Sequence, residues 1–235
     1  MGRGNKLERF AQMKIFSNVF EPDGKKILLE DYALKGKWNQ EYFKNGNPIT
    51  LELGCGKGEY TVGLAQKYPN KNFIGIDIKG ARMWKGAKYA LETKLENAAF
   101  IRARIEFIEK LFAPGEVEEI WITFPDPYPK KPGNRLSSSF FINRYKKILA
   151  PQGLIHLKTD CRPLHDYTLA VLNENKVVPQ TATSDLYSPG FERDDILALK
   201  TFYEQKFLEE NKPITYLRFT ADLPNQFRET DKPWE

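Results

Sequence analysis

Five short stretches of this chain carry residue types that can do chemistry, and four of them end extended runs. The first is ELGCGKG (52–58), a glycine-rich turn that follows the β-like run ITLEL (49–53) and opens a helical stretch. Glycines let a backbone adopt positive φ and approach a ligand closely. A turn between strand and helix is where such a loop holds a nucleotide-like group. Gly54, Gly56 and Gly58 give the spacing GxGxG, and Glu59 stands where a dinucleotide fold needs its third glycine. Glu52, just before the first glycine, would repel a pyrophosphate and suits a cationic ligand. S-adenosylmethionine (SAM), with a sulfonium, an ammonium and no phosphate, meets that description. Asp77 ends the next β-like run, 25 residues beyond Glu52, and is placed to accept both hydroxyls of a ribose.

TFPDPYPKKPGNRL (123–136) is the third stretch. Its four prolines lock φ and hold one extended path. The loop exposes the carboxylate of Asp126, an aromatic ring, and then Lys130, Lys131 and Arg135, a set suited to presenting groups to a substrate. KTD (158–160) ends another run on the same edge, and Asp160 either points into the same crevice or caps the following helix. LKTFYEQ (199–205) offers Thr201, Tyr203 and Glu204, which by themselves read as the start of an amphipathic helix. His156 reads as a packed strand residue, and Cys161 as a thiol with no partner base.

The elements that must position these groups alternate. Strand-like runs at 49–53, 72–78, 98–103, 118–124 and 154–160 are separated by helical stretches at 59–68, 82–95, 105–112, 137–149 and 164–172. The serines at 137–139 offer helix caps, and PQG (151–153) reads as a turn. This rhythm predicts βαβ units, and hence a parallel sheet with helices on both faces. After Val177 the rhythm changes to a loop at 185–195, a helix at 198–210 and a late strand at 214–220. The expected organisation is a basic, partly helical and mobile N-terminal extension (1–47), one α/β domain (48–220) and a C-terminal tail (221–235).

At 235 residues with 13% aromatic content the chain can bury a sizeable core without disulfides or metal. Two cysteines without a CxxC and two histidines argue against a disulfide framework and a metal centre. No apolar run reaches membrane-spanning length, and the start lacks a secretory h-region, so a soluble cytoplasmic protein is expected. The net charge of +5 is mild but segregated. Residues 126–147 carry six basic side chains against one acid, and 79–104 carry seven against two. Such faces suit a polyanionic backbone or are simply solvated helix surfaces.

ELGCGKG, GID, FPDPYPKK, KTD and TFYE, in that order over about 49–220, resemble the bacterial tRNA (guanine-N7-)-methyltransferase family. The resemblance implies a SAM-dependent, doubly wound, mostly parallel seven-stranded class I methyltransferase sheet, Rossmann-like, with helices on both faces. It implies transfer of the SAM methyl group to N7 of guanine 46 in the variable loop of tRNA. By motif, Glu52, Gly54, Gly56, Asp77 and Asp126 correspond to cofactor-binding positions, Asp126 also to the catalytic acid. Lys130, Asp160, Thr201, Tyr203 and Glu204 correspond to substrate-binding positions. The chain departs from the family with Asp77 for a glutamate, Tyr203 for a phenylalanine, Arg104 where an acid is usual, and a short, weakly basic PGNRL.

N7 of guanine has a free lone pair and no proton to lose, so the chemistry needs alignment and charge rather than a base. Two other functions fit parts of the pattern. DPY resembles the loop that holds an exocyclic amine in amino-methyltransferases, although the second proline is missing. A non-catalytic RNA-binding protein would keep the same fold.

Overall fold

The structure is a computed structural model that describes residues 3–193, 196–222 and 225–231. The first two residues of the expected extension, the last two of the expected 185–195 loop, and 223–224 and 232–235 of the expected tail lie outside these.

Eight strands form one sheet: β1 (Val19–Phe20), β2 (Ile49–Leu53), β3 (Asn72–Asp77), β4 (Ala98–Arg102), β5 (Val117–Thr123), β6 (Leu149–Thr159), β7 (Thr181–Thr183) and β8 (Thr215–Thr220). Their order is β1-β4-β3-β2-β5-β6-β8-β7. Strands β1 to β6 pair parallel, and β8 runs antiparallel to both β6 and β7. The sheet therefore has one strand more than the seven expected. The addition is the two-residue β1, which lays Val19 and Phe20 beside Phe100 and Ile101. It was invisible in the sequence because two residues carry no periodicity.

The central strands are buried on both faces, as parallel strands covered by helices must be. The covering helices are α1 (Arg3–Met13), α2 (Lys26–Leu29), α3 (Glu59–Lys67), α4 (Gly80–Glu92), α5 (Ile108–Leu111), α6 (Ser139–Ile148), α7 (Arg162–Glu174) and α8 (Phe202–Glu209). The chain leaves β2 for β3 and β4 on one side, then returns to β5 and β6 on the other. That reversal opens a crevice at the carboxyl ends of β2 and β5, where ligands bind in open α/β sheets.

Residues 3–47 contribute to the same body. Trp38, in a π-helical stretch at Trp38–Phe43, is fully buried and donates its Nε1–H to the Leu111 carbonyl at 3.0 Å. It stacks on Phe112 and meets Phe20 edge-on, inside the cluster that contains Leu51 and Ile120. Helix α1 lies on α4, with Arg9 over the Trp84 ring at 4.6 Å and Trp84 Nε1 donating to Gln12. The C-terminal segment is laced down as well. Asn143 exchanges hydrogen bonds with both backbone groups of Phe227, and Glu229 accepts from Tyr167 and Ser139.

Several local expectations shift. None of the serines at 137–139 caps α6 through its own hydroxyl. Ser137 instead bonds Thr168, and the Ser139 N–H is taken by Glu229 from the far end of the chain. PQG is not a simple turn, because β6 starts at Leu149 and passes through it, with Gln152 at φ 61°. The helix expected at 198–210 starts only at Phe202, because Thr201 caps it.

Candidate active site

A cleft of about 640 Å³ opens at the β2/β5 switch point. Such a volume lies within the usual range for small-molecule sites, roughly 300–1,000 Å³. The end of β2, the glycine turn, the end of β3, the residues after β4, the loop after β5 and the first residues of α8 all line it.

Glu52 is buried on β2, beside the Gly54 turn. One of its oxygens accepts the backbone N–H and hydroxyl of Thr61, at 2.8 and 2.5 Å, and the other accepts the Thr123 hydroxyl at 2.8 Å. The side chain thus caps α3 and ties β2 to β5 across the switch point. Burial raises its pKa to about 7 even against these hydrogen bonds. Asp77 accepts the Gly56 N–H at 2.8 Å and the Lys79 N–H at 2.7 Å. Each carboxylate oxygen keeps a further lone pair, so this bracing leaves acceptor capacity toward the cleft.

The turn itself is shaped for close approach. Gly54 has φ 73°, a left-handed conformation that favours glycine, and a Cβ there would sit 3.8 Å from Leu136 Cδ1. Gly58 has φ 71°, and a Cβ there would come within 2.5 Å of the Phe100 ring. These positions exclude side chains for two reasons, one conformational and one steric.

Opposite the glycines, the loop after β5 takes its shape from two non-glycine residues at positive φ, Phe124 at 47° and Tyr128 at 43°. Such conformations are rare for bulky residues and persist only where surroundings enforce them. One enforcing bond is Phe124 N–H to the Lys158 carbonyl at 2.8 Å. Another is Arg135, which is buried, donates to the carbonyls of Tyr128 and Pro129, and lies 4.1 Å over the Tyr167 ring. Arg135 is therefore the strut of this loop, not one of the groups it presents to a substrate. Asp126, between its prolines, is exposed and faces Lys79 Nζ at 3.7 Å.

Thr201 and Tyr203 both line the cleft. Glu204 does not. It is fully buried, pairs with the equally buried Lys158 at 2.7 Å, accepts from Tyr187, and forms the capping box of α8 with Thr201. Lys158 also donates to the carbonyls of Leu197 and Leu199. Burial lowers the Lys158 pKa, and the Glu204 carboxylate opposes that shift. Glu59 adds a second tie by accepting the Phe202 N–H at 2.8 Å. Asp160 is half-buried, with its pKa raised by burial, and Lys130 is exposed; neither lines the cleft. Arg104 does line it, paired with Glu106 at 2.6 Å. Burial works to raise the Glu106 carboxyl, but the Arg104 bond holds it below its usual value. A carboxylate is thus present near this edge, two residues after the position where the family usually has one.

Arg135, Thr61 and Thr123 brace the site through contacts between distant positions that leave no pattern along the chain. Lys158 did leave a signal, since a lysine within a strand buried on both faces needs a partner. His156 is a packed strand residue, stacked on Trp121 and bonded to Tyr216 and Glu119. Burial raises the pKa of both Cys55 and Cys161. Among the described residues no group of three or more His, Cys, Asp or Glu could hold a metal, and no helix is long and apolar enough to cross a membrane.

Residues 46–217 match a family model described as "Putative methyltransferase". A tRNA (guanine-N(7)-)-methyltransferase of Christiangramia forsetii is 52% identical over 221 residues, covering 93% of this chain and 99% of that protein. One of Bacteroides fragilis is 48% identical, covering 98% and 91%. Among solved structures, the 16S rRNA methyltransferase KamB superposes with a TM-score of 0.60 at 16% identity, covering 81% of this chain and 94% of that one. That likeness concerns the fold.

Proposed function

The chain belongs to the tRNA (guanine-N7-)-methyltransferase family, and on that premise we propose that its cleft transfers the methyl group of SAM to N7 of guanine 46 in the tRNA variable loop. The observation that carries this assignment is the cleft at the switch point, where Glu52 and Asp77 end adjacent strands beside a glycine turn and Asp126 stands in the loop after β5. The lining holds five carboxylates against four cations, and the acceptors at the strand ends, Glu52 and Asp77, suit an ammonium and a ribose rather than a pyrophosphate.

SAM supplies an electrophilic methyl carbon when bound. Asp77 accepts the ribose hydroxyls with the lone pairs that Gly56 and Lys79 leave free. Glu52 holds the glycine turn against α3 through its bonds to Thr61 and Thr123. Gly54 and Gly56 let the backbone close on the cofactor. Across the cleft, Asp126 orients the guanine and stabilises positive charge as the purine becomes a cation. No proton leaves N7, so no residue needs to act as a base. Alignment of the reacting atoms supplies up to about 7–11 kcal/mol.

Thr201 and Tyr203 face the guanine from the α8 side. Glu204 serves them from below through its capping box and its bond to Lys158, as a positioning residue. Lys130 and Asp160, outside the cleft lining, meet the RNA beyond the target base. A place in the cytoplasm follows from the tRNA substrate. The test is incubation with labelled SAM and unmodified tRNA, followed by nucleoside identification. The expected product is 7-methylguanosine; a methylated exocyclic amine, or SAM binding without transfer, would overturn the assignment.

A further inference from the structure

Beside the cleft, on its α4 flank, lies a second groove of about 380 Å³, lined by Lys6, Phe10, Ile78, Lys79, Ala81, Arg82 and Arg102. Its four cations come from three separate elements: α1, the start of α4, and the end of β4. Two acids face them. Glu21 reaches Arg102 at 3.4 Å, and Asp126 reaches Lys79 at 3.7 Å from the cleft side. Lys6 and Arg82 are exposed, with no acid within 4 Å among the described residues, and the groove keeps a positive excess.

The close approach of its walls depends on Gly80. A Cβ there would fall 2.8 Å from Arg102 Cδ and 2.9 Å from the Phe10 ring. With glycine in that place, the Arg102 guanidinium lies 4.5 Å over the Phe10 ring and is held at the groove wall. The groove is continuous with the cleft, since Ile78, Lys79 and Arg82 line both. Ile78 is 56% exposed at the shared lip and offers an apolar surface beside the cations.

We propose that this groove binds backbone phosphates of the tRNA, so that the RNA strand runs over α1 as it enters or leaves the cleft. The proposal rests on the assignment of the cleft to a tRNA guanine. A base seated in the cleft must continue into a chain of phosphates on either side. Cations spaced over three elements, next to an apolar lip, suit a strand of alternating phosphate and sugar. Contacts of this kind fix register and orientation without reading sequence. They give the basic stretch 79–104 a role, and they bring the N-terminal helix into the substrate surface.

The test uses the full chain with Lys6→Gln, Arg102→Gln and the pair combined, and measures binding of unmodified tRNA across a salt series. Each lost phosphate contact lowers the log–log salt slope by about 0.9 or less, so the pair should lower it by up to about 1.8. SAM affinity should stay at the wild-type value, since neither residue lines the cleft. Lys6 is exposed and its substitution leaves the fold intact, so the single variant still decides if the Arg102 variant melts early. An unchanged slope in a folded Lys6→Gln and in the pair would overturn the proposal. So would a groove that takes only free anions, seen as competition by inorganic phosphate at constant ionic strength with no change in tRNA slope. Wild-type protein that fails to methylate tRNA would instead overturn the assignment of the cleft itself.

Discussion

Glu204→Gln removes one charge from a pair that water does not reach, and the structure allows its cost to be worked out. Lys158 and Glu204 are both fully buried, 2.7 Å apart. The glutamine keeps the volume, and its one carbonyl oxygen can still accept from Tyr187 and Lys158, but the Lys158 ammonium loses its counter-charge and an amide NH2 is set against the Thr201 N–H. Breaking a buried pair from one side costs about 3–5 kcal/mol. For a domain of this size that corresponds to a melting temperature lower by about 6–20 °C. The combined Lys158→Met/Glu204→Gln variant removes both charges and should recover most of the loss, as buried pairs replaced by neutral groups commonly do. A second signature comes from pH. Burial already lowers the Lys158 pKa, so the folded protein binds fewer protons than the unfolded chain below the ordinary lysine range. Stability therefore rises as pH climbs toward that range, and loss of Glu204 widens the window downward. The single variant should accordingly be less impaired near about pH 9 than at about pH 7. Urea unfolding at both pH values, on wild type, both singles and the pair, measures all of this. Single-variant losses under about 1 kcal/mol that simply add in the pair would refute the reasoning.

Three other outcomes follow from the same geometry. Burial raises the Glu52 pKa from 4.5 to about 7, so the native state holds the extra proton, and wild-type stability falls as pH rises through that window by up to about 3 kcal/mol. Glu52→Gln, which cannot ionise, should gain on wild type by that amount between about pH 4.5 and 8, and parallel pH–stability curves would refute it. Gly86→Ala would place a Cβ 2.5 Å from the Lys57 carbonyl and 3.0 Å from Gly58 Cα, beneath the glycine turn. It should cost about 1–3 kcal/mol of stability and weaken SAM binding in calorimetry; wild-type affinity would show that the turn does not hold the cofactor. Arg135→Ala removes the strut of the 124–135 loop, so single-turnover methylation should slow while the tRNA salt slope stays at wild type. A fall in that slope would make Arg135 a phosphate contact after all.

The central sheet was legible because parallel strands buried on both faces leave dense β-branched runs, as in NFIGIDI, and helices leave their spacing between them. The glycine turn and the Pro-locked loop were legible because those residue types restrict or release φ whatever surrounds them. What stayed hidden depends on contacts between distant positions. Ser139 owes its cap to Glu229, ninety residues on. The basic run Lys130, Lys131 and Arg135 looks uniform along the chain, yet burial separates Arg135 from its neighbours. Thr201 and Glu204 are spaced as a capping box, and in the structure they form one. The spacing alone did not reveal that Lys158 would neutralise the glutamate from another strand.

The measurement that bears most directly on the central claim is single-turnover methyl transfer by Asp126→Asn and Asp126→Ala at saturating SAM and tRNA, with tRNA binding measured separately. Asp126 lies in the cleft wall between two prolines, where a fixed charge can align guanine and meet its developing cation. If charge does that work, both variants lose about 100-fold or more in transfer rate while tRNA affinity is retained. Substantial activity in the asparagine variant alone would shift the role to positioning by hydrogen bond. Near-normal turnover in the alanine variant would contradict the account.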